Sequence, residues 1–471
     1  MRALRRLVLL AAVLTAVAVA AGSAAAAPSL RVVGNRLVDT STGGTFVPRG
    51  VNWPSFEYAC FYGYGNSNEA SSTSVGPTAA QARLIASWHA NIVRVPLNQD
   101  CWLGDDGQPS GGFTVAGYRA AVAAWVAKLH AAGLAVILDL HWSGPDGVPA
   151  EGQRMMADDR SAAFWTSVAT TFKNDRAIMF DAFNEPYSRY YDDGPNILLD
   201  WACWRDGGCS APQQNDETGP YDGRTFAVTG MRTLVAAIRA TGARQPILLG
   251  GLDYANDLRG WLAARPADGQ LIASFHNYRS QRCSTVACWN AEIAPVAARV
   301  PVITGEFGET DCRESFDREY MDWADAHRVG YLAWQWVVLA PDERPTPPCS
   351  SLALITDVRG TPGAPNGTAL KSHLKRFADG APGTPRMTGI DLRAARGGLT
   401  LRVTLSKPAT VHMVTRRPGG RTTIVNRSLP RGGHSIRLIS RAASGRYTVG
   451  LRAIDGSGRR STQRTVIATV R

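Results

Sequence analysis

The sequence predicts an α/β protein, a (β/α)8 TIM barrel, followed by a small all-β, Ig-like sandwich domain. Three observations lead to this prediction. Short apolar runs alternate with helical patterns between residues 46 and 378. A segment rich in glycine and proline follows at 379–385. Beyond it, from 386 to 471, short alternating runs separated by glycine turns are typical of a β-sandwich.

The barrel is predicted for residues 28–378, with a hairpin at Leu30–Asp39 before its first strand. Eight strands are predicted, at Phe46–Asn52, Asn91–Val95, Leu134–Leu140, Ile178–Phe183, Pro246–Leu249, Leu271–Phe275, Val302–Thr304 and Tyr331–Trp336. Helices are predicted between them, at Thr78–His89, Thr114–Ala132, Ser161–Phe172, Arg224–Thr241, Phe316–His327 and Thr368–Phe377. A doubly wound open sheet is the alternative, but no Gly-x-Gly-x-x-Gly motif follows any of these strands.

Residues 1–27 are predicted to be a secretory signal peptide. Three arginines precede an apolar run from Leu7 to Ala20, and small residues follow it. The run is shorter than the roughly 20 apolar residues that cross a bilayer. We therefore expect a secreted, extracellular protein without an integral membrane segment after the signal is removed, with a retained membrane anchor as the alternative.

The eight cysteines all lie in the exported part of the chain. An even number in an extracellular protein predicts four disulfides, although eight cysteines permit 105 connectivities. We expect neighbours in the sequence to pair, above all 203 with 209 and 283 with 288. No Cys-x-x-Cys occurs and no histidine lies at ligand spacing, so neither a metal nor a cofactor is expected.

The net charge of +12 comes from one segment. Residues 386–471 hold 18 Lys and Arg against two acids, whereas the barrel region is net acidic. This basic domain allows three interpretations: a module that binds polysaccharide, a module that attaches the enzyme to an anionic cell wall, or a domain whose arginines only confer solubility. Nucleic-acid binding is disfavoured, because the chain is exported and the domain has a single aromatic residue, Tyr447.

Two predicted strands end on a glutamate. Asn184-Glu185-Pro186 follows the fourth strand, and Gly305-Glu306-Phe307 follows the seventh. In a (β/α)8 barrel the ends of the strands meet at one face, where catalytic side chains project. The other strand ends contribute further functional groups at that face: Arg94, His141, His276, Tyr278, Trp334 and Trp336.

This set of residues resembles glycoside hydrolase family 5, the cellulase-like family of clan A, over about residues 45–378. The resemblance implies that Glu185 is the acid/base and Glu306 the nucleophile. It implies that Arg94 and Tyr278 support Glu306, and that Asn184 holds the sugar 2-hydroxyl. His141 and His276 would orient the carboxylates and the substrate. Trp336 would lie under the sugar, with Trp334 as the alternative.

The resemblance implies a retaining mechanism, which needs two carboxylates about 5–5.5 Å apart in different protonation states. One carboxylate must be ionised to attack, so Arg94 beside Glu306 should keep its pKa low. The other must be protonated, so burial and a like charge should raise the pKa of Glu185. Arg94 has an alternative partner, a core acid such as Asp139.

The resemblance implies a polysaccharide substrate, and we expect an endo-β-1,4-glucanase. β-Mannan, xyloglucan and β-1,3-glucan remain open as substrates, because loop residues decide among them. A non-catalytic glycan-binding barrel protein is the hypothesis of a different class.

Overall fold

The computed structural model describes residues 27–41, 43–62, 75–109, 112–191, 194–214, 221–378, 385–395, 398–407, 409–417, 420, 422–430, 432–455 and 460–470. The predicted signal peptide, except Ala27, and the predicted linker, except Pro385, lie outside these residues. Within the described part of the chain, every helix falls short of the length and hydrophobicity that a membrane crossing requires.

The strands, in chain order, are β1 (Leu30–Val33), β2 (Arg36–Asp39), β3 (Gly44–Thr45), β4 (Arg49–Asn52), β5 (Ile92–Asn98), β6 (Ala135–Trp142), β7 (Ile178–Asp181), β8 (Gly207–Pro212), β9 (Thr225–Thr229), β10 (Ile247–Gly250), β11 (Leu271–Tyr278), β12 (Val302–Gly308), β13 (Gly330–Ala333), β14 (Met387–Ala395), β15 (Gly398–Leu405), β16 (Ala409–Arg416), β17 (Thr423–Leu429), β18 (Gly432–Ile439), β19 (Gly445–Ile454) and β20 (Arg464–Val470).

The helices are α1 (Phe56–Tyr62), α2 (Ala79–Ser87), α3 (Gln99–Leu103), α4 (Val115–Ala131), α5 (Ser161–Phe172), α6 (Trp201–Asp206), α7 (Met231–Ala240), α8 (Trp261–Ala264), α9 (Val286–Cys288), α10 (Ala294–Ala297), α11 (Ser315–His327) and α12 (Asn366–Ala378), with a π-helical turn at Trp289–Ile293 before α10.

Eight parallel strands close into a barrel in the order β4-β5-β6-β7-β10-β11-β12-β13, with β13 pairing back to β4. Each of the eight predicted strands overlaps one of these strands, so the predicted (β/α)8 fold is confirmed. The helices cover the outside of the barrel through apolar faces. Helix α4, for example, buries Tyr118, Val122 and Trp125, and the Thr114 side chain caps its first turn by accepting from the Gly117 amide.

One predicted helix is wrong in its first part. Residues 225–229 of the predicted Arg224–Thr241 helix form strand β9, which pairs with β8, and the helix begins only at Met231. Phe226 and Val228 are buried while Thr225 and Ala227 are exposed, which is the two-residue period of a strand. Residues 231–240 alone have the helical period.

The interior of the barrel is apolar at the end where the strands begin. Ile92, Ile137, Met179, Leu248, Ile272, Ile303 and Leu332 form one buried cluster there. The predicted hairpin, now β1 and β2, covers this end and contributes Leu30, Val32 and Leu37 to the same cluster. Hydrogen bonds from the Leu30 amide to the Arg176 carbonyl and from the Val32 amide to Gln270 hold the hairpin in place.

Four disulfides join neighbouring cysteines, as predicted: Cys60–Cys101, Cys203–Cys209, Cys283–Cys288 and Cys312–Cys349. Each one ties loops or short elements around the barrel. The Cys60–Cys101 disulfide links α1 to α3, on the loops that follow β4 and β5.

The C-terminal strands form two antiparallel sheets, one ordered β14-β15-β18 and the other β17-β16-β19-β20. Alternate residues of both sheets enclose a separate core that includes Leu401, Val403, Val411, Met413 and Val449. The predicted all-β sandwich is therefore confirmed, with its own core distinct from that of the barrel.

Candidate active site

The strands that are apolar inside the barrel become polar two or four residues later. Ile92 is followed by Arg94, Met179 by Asp181, and Ile137 by Asp139 and His141. Residues two apart on a strand point to the same side. The inward-pointing residues of a strand therefore form the apolar core near its start and carry charged groups at the face where the strands end.

A bulge in β12 brings Glu306 into line with this layer. Phe275 pairs with Thr304, but His276 pairs with Glu306, so Gly305 is an extra residue on β12. A bulge of this kind redirects the side chain that follows it. A Cβ at Gly305 would lie 2.7 Å from His276 Nε2, so a side chain here would displace the histidine.

Arg94 is fully buried and is the centre of the site. Its Nη1 donates to Glu306 Oε1 at 2.7 Å, its Nε to Asp181 Oδ2 at 3.0 Å, and its Nη2 to Asn184 Oδ1 at 2.7 Å. Nη2 also lies 3.0 Å from Asp139 Oδ2. Arg94 thus contacts both partners that the sequence offered, the glutamate and the core acid.

Burial alone would lower the pKa of the Arg94 guanidinium, but the three surrounding carboxylates outweigh burial and raise it. Arg94 therefore stays charged. Burial raises the pKa of Asp139 to about 7 and that of Asp181 to about 8, although Arg94 opposes both shifts. The single positive charge of Arg94 thus pairs with three carboxyl groups, and the shortest of the three distances is to Glu306.

Glu306 is 4% exposed and has a second donor, because Tyr278 Oη donates to Glu306 Oε2 at 2.7 Å. Burial, the charges of Glu306 and Glu185, and this hydrogen bond raise the pKa of Tyr278 well above its ordinary value. The phenol therefore keeps its proton and remains a donor to the carboxylate.

Glu185 lies four residues after β7, and its side chain is 13% exposed. His276 Nδ1 shares a hydrogen bond of 2.6 Å with Glu185 Oε1, and Gln153 Nε2 donates to Glu185 Oε2 at 3.0 Å. Burial raises the pKa of Glu185, and the donor from Gln153 partly offsets that effect. A raised pKa favours the protonated form, which an acid catalyst needs.

The two glutamates face each other. A Glu185 oxygen, His276 Nδ1 and a Glu306 oxygen all lie within 4.8 Å of one another, and His276 Nδ1 is 3.7 Å from Glu306 Oε2. This approach is nearer to the roughly 5–5.5 Å between two carboxyl groups that suits direct attack than to the roughly 6.5–9.5 Å that leaves room for a water between them. The arrangement suits direct attack by one carboxylate on a sugar held between the two.

Both predicted histidines are in the site. Burial lowers the pKa of His276 to about 3 and that of His141 to about 4, with Arg94 adding to both shifts, so both rings are neutral. His141 Nδ1 bonds Asp139 Oδ2 at 2.7 Å. The His141 ring lies parallel to that of Trp334, with the ring centroids 5.4 Å apart.

The prediction for Trp336 is wrong. Its side chain is fully buried, packs edge-on against Trp88 with centroids 4.7 Å apart, and donates from Nε1 to Gln81. A ring that supports a sugar must expose a face, and this one has none. Trp334, the alternative, is partly exposed and lies over His141, inside the site.

Sequence reasoning missed Gln153. Its amide bridges the two residues of the Asn-Glu pair, accepting from Asn184 Nδ2 at 2.8 Å and donating to Glu185. Gln153 lies in the loop between β6 and α5, more than 30 residues from its partners, and no motif marks it. Asn52, which accepts from Arg94 and donates to the Gly305 carbonyl, was also missed, although it ends a predicted strand.

Glu185, His276 and Glu306 could in principle ligate a cation. Arg94 and Tyr278 already bond the two oxygens of Glu306, and the guanidinium charge 2.7 Å away opposes a metal there. Cys283 and Cys288, which lie near Glu292, form a disulfide and offer no thiolate.

The chain matches the family model described as Cellulase (glycosyl hydrolase family 5) over residues 49–338. Among curated proteins no sequence matches. The chain is similar to the beta-glucanase SdGluc5_26A from Saccharophagus degradans, whose structures include one with cellotetraose, at a TM-score of 0.54 and 18% identity over 75% of this chain and 95% of that one. It is also similar to Cellulase Cel5C_n, with a TM-score of 0.51 and 16% identity over 75% of this chain and 94% of that one.

At these identities the solved structures show a shared fold. The family model covers more than half of the chain and includes each residue of the site, from Asn52 to Trp334. The chain therefore belongs to glycosyl hydrolase family 5 and is a glycoside hydrolase.

Proposed function

We propose that the protein is a secreted, retaining endo-β-1,4-glucanase in which Glu306 is the nucleophile and Glu185 the acid/base. The observation that carries this proposal is the approach of the two carboxylates to within 4.8 Å, with Arg94 on Glu306 and a raised pKa on Glu185. The two environments suit one charged and one protonated group.

In the first step a Glu306 oxygen attacks the anomeric carbon and the glycosidic C–O bond breaks. The leaving oxygen takes the proton of Glu185. Arg94 and Tyr278 hold the attacking carboxylate in place through one bond to each oxygen. The product is a covalent glycosyl ester on Glu306 and a free alcohol on the leaving sugar.

In the second step the ester has removed the charge of Glu306, and Glu185 is ionised. Glu185 takes a proton from water, the hydroxide attacks the anomeric carbon, and the ester bond breaks to restore the Glu306 carboxylate. His276 is neutral and its Nδ1 faces Glu185 Oε1, so it can accept from the acid or, as the other tautomer, donate to the carboxylate. Two inversions give net retention.

Three further residues are proposed to hold the sugar. Asn184 has one amide hydrogen bonded to Gln153, which leaves its second hydrogen for the 2-hydroxyl. Trp334 offers a partly exposed ring as the platform under the sugar. His141, fixed by Asp139 and stacked on Trp334, orients the substrate between them.

The substrate class and the location rest on other observations. The family model is described as Cellulase, and the S. degradans beta-glucanase with the same fold was solved with cellotetraose, which favours a β-1,4-glucan. The arginines before the apolar run of residues 7–20 and the four disulfides favour export. Finding secreted protein that begins near residue 28 would test this point.

The hydrolase proposal is tested on soluble β-1,4-glucan, β-1,3-glucan, mannan and xyloglucan. We expect the fastest turnover on β-1,4-glucan, a viscosity drop that runs ahead of new reducing ends, and a first product with the β configuration. Glu306→Ala should abolish turnover. Azide should restore Glu185→Ala on an activated aryl glycoside, because a small anion can attack where the base is missing.

An α-configured first product would refute the retaining mechanism, and wild-type rates in both variants would refute the residue assignment. Binding of a glycan without turnover by the wild-type protein would favour the non-catalytic alternative.

A further inference from the structure

The four-stranded sheet of the C-terminal domain has an exposed outer face. Along β16, Val411 and Met413 point into the core, whereas His412, Val414 and Arg416 point outward. On the two edge strands Ile424 and Ile467 are 60% and 50% exposed.

A groove of about 300 Å³ runs across this face, between β16, β19 and β20. Its floor is Gly450, the outward residue of β19 that lies in register between Val414 and Thr465. Because Gly450 has no side chain, the cross-strand row of Val414, Gly450 and Thr465 is recessed at its centre. A Cβ added there would meet its nearest atoms at 3.7 and 3.9 Å, so the recess does not arise from close packing.

Arginines stand at both ends of the recess. Arg452 lies opposite His412, and Arg416 lies opposite Thr448, on the other side of Gly450. The pair of Arg452 and His412 lies four residues along the strands from the pair of Arg416 and Thr448, which is about 14 Å at 3.4 Å per residue. Thr465, opposite Gly450, lines the groove between the arginines, and Thr448 lines it beside Arg416.

These arginines have no acidic partner among the described residues. The C-terminal domain holds two acids, Asp391 and Asp455, and they pair with Arg393 and Lys407. Arg452 Nη2 donates to the neutral side chain of Gln463, at Oε1, over 3.1 Å. Positive charge at the groove is therefore available to a ligand.

The groove lacks what neutral sugars and nucleobases need. Both stack on aromatic rings, and the single aromatic residue of the domain, Tyr447, is 5% exposed and belongs to the core. Hydroxyl and guanidinium groups are well suited to a polymer that carries hydroxyls and carboxylates.

We propose that this groove binds an acidic polysaccharide, with sugar carboxylates bound by Arg416 and Arg452 and sugar hydroxyls by Thr448 and Thr465. The interaction is independent of the hydrolase reaction. It would hold the barrel near a wall that contains both an acidic glycan and the substrate.

The test measures binding of the full chain to polygalacturonate by titration calorimetry, beside a neutral soluble β-glucan, duplex DNA and vesicles that contain anionic phospholipid. We expect polygalacturonate to bind most tightly, with an affinity that falls as salt rises. Each arginine should contribute roughly tenfold, so Arg416→Ala with Arg452→Ala should weaken binding roughly a hundredfold.

Two further variants separate the groove from overall charge. Arg402→Ala with Arg437→Ala removes the same charge from the exposed face of the other sheet, and binding should change less than about threefold. Gly450→Leu keeps every charge but fills the recess, and it should weaken binding roughly tenfold. Unchanged thermal melting shows that the variants fold.

Equal losses from the two arginine pairs would overturn the proposal in favour of diffuse charge. So would wild-type affinity in Gly450→Leu, or tighter binding to DNA or to the vesicles than to polygalacturonate.

Discussion

Replacing Gln153 by methionine removes one hydrogen-bond donor from the acid/base at nearly constant side-chain size. Gln153 Nε2 donates to Glu185 Oε2 at 3.0 Å, and this bond stabilises the ionised form of Glu185. Burial, which raises the pKa of Glu185, would then act with less opposition. The pKa of Glu185 should therefore rise in the variant.

The size of the shift follows from the type of bond. A hydrogen bond to a charged group contributes about 1.5–3 kcal/mol, and one pKa unit corresponds to about 1.4 kcal/mol, so the shift should be about one to two units. Glu185 must be protonated to act as the acid, so activity falls as pH rises through its pKa. The basic limb of the kcat/KM profile should move to higher pH by that amount.

The assay is the pH dependence of kcat/KM on soluble β-1,4-glucan, whose leaving group needs the proton. The acidic limb should stay in place, because the contacts of Arg94 and Tyr278 with Glu306 are intact in the variant. The maximum should also fall, since Asn184 loses its acceptor. A basic limb that stays in place or moves to lower pH would refute the reasoning.

Gln245→Met is the matched control. Gln245 is 1% exposed, whereas Gln153 is only partly buried. Gln245 precedes β10 at the opposite end of the barrel, where its Nε2 donates to the carbonyls of Phe172 and Asp175. Its replacement should lower the melting temperature without moving either limb. If either limb of the kcat/KM profile moved in Gln245→Met, the pH dependence would reflect a general loss of stability and not the pKa of Glu185.

Three further predictions test the support of the nucleophile, the platform and the disulfides. Tyr278→Phe removes one donor to the nucleophile and should lower kcat/KM about ten- to a hundredfold at unchanged melting temperature; an unchanged rate would contradict this role. Trp336→Ala should cost about 3–5 kcal/mol of stability, because the side chain is fully buried. Trp334→Ala should leave the melting temperature nearly unchanged and lower kcat/KM roughly tenfold. The reverse pattern would restore Trp336 as the platform. Replacing Cys312 and Cys349 together by serine opens a loop with a sequence separation of 37 and should cost about 4 kcal/mol in chemical denaturation; a loss below about 1 kcal/mol would contradict this estimate.

The sequence predicted the barrel well because most of its strands contain a short apolar run that is buried on both faces, and several of these runs are followed closely by a polar residue. Ile178–Asp181 followed by Glu185 is an example. The same logic identified His141, His276 and Tyr278, since each lies within the last three residues of its strand and the barrel brings strand ends together. Arg94 was also identified, although its strand β5 continues past it to Asn98.

Side-chain direction beyond a strand end was not predictable in the same way. Strand β13 ends at Ala333, and the alternation of a strand no longer applies to Trp334 and Trp336. Gln153 escaped notice for a related reason: it reaches Glu185 from a loop whose path is set by tertiary contacts. In β9 the buried positions Phe226 and Val228 were read with a helical period because Met231 begins a true helix directly after them.

The hairpin of β1 and β2 plugs the barrel at the end opposite to the two glutamates. The two ends of the barrel therefore have separate roles. One end is closed by aliphatic side chains, and the other carries the proposed catalytic carboxylates. Substitutions at the closed end, or a partner protein fused there, could change the thermal stability while the spacing of the two carboxylates stays the same.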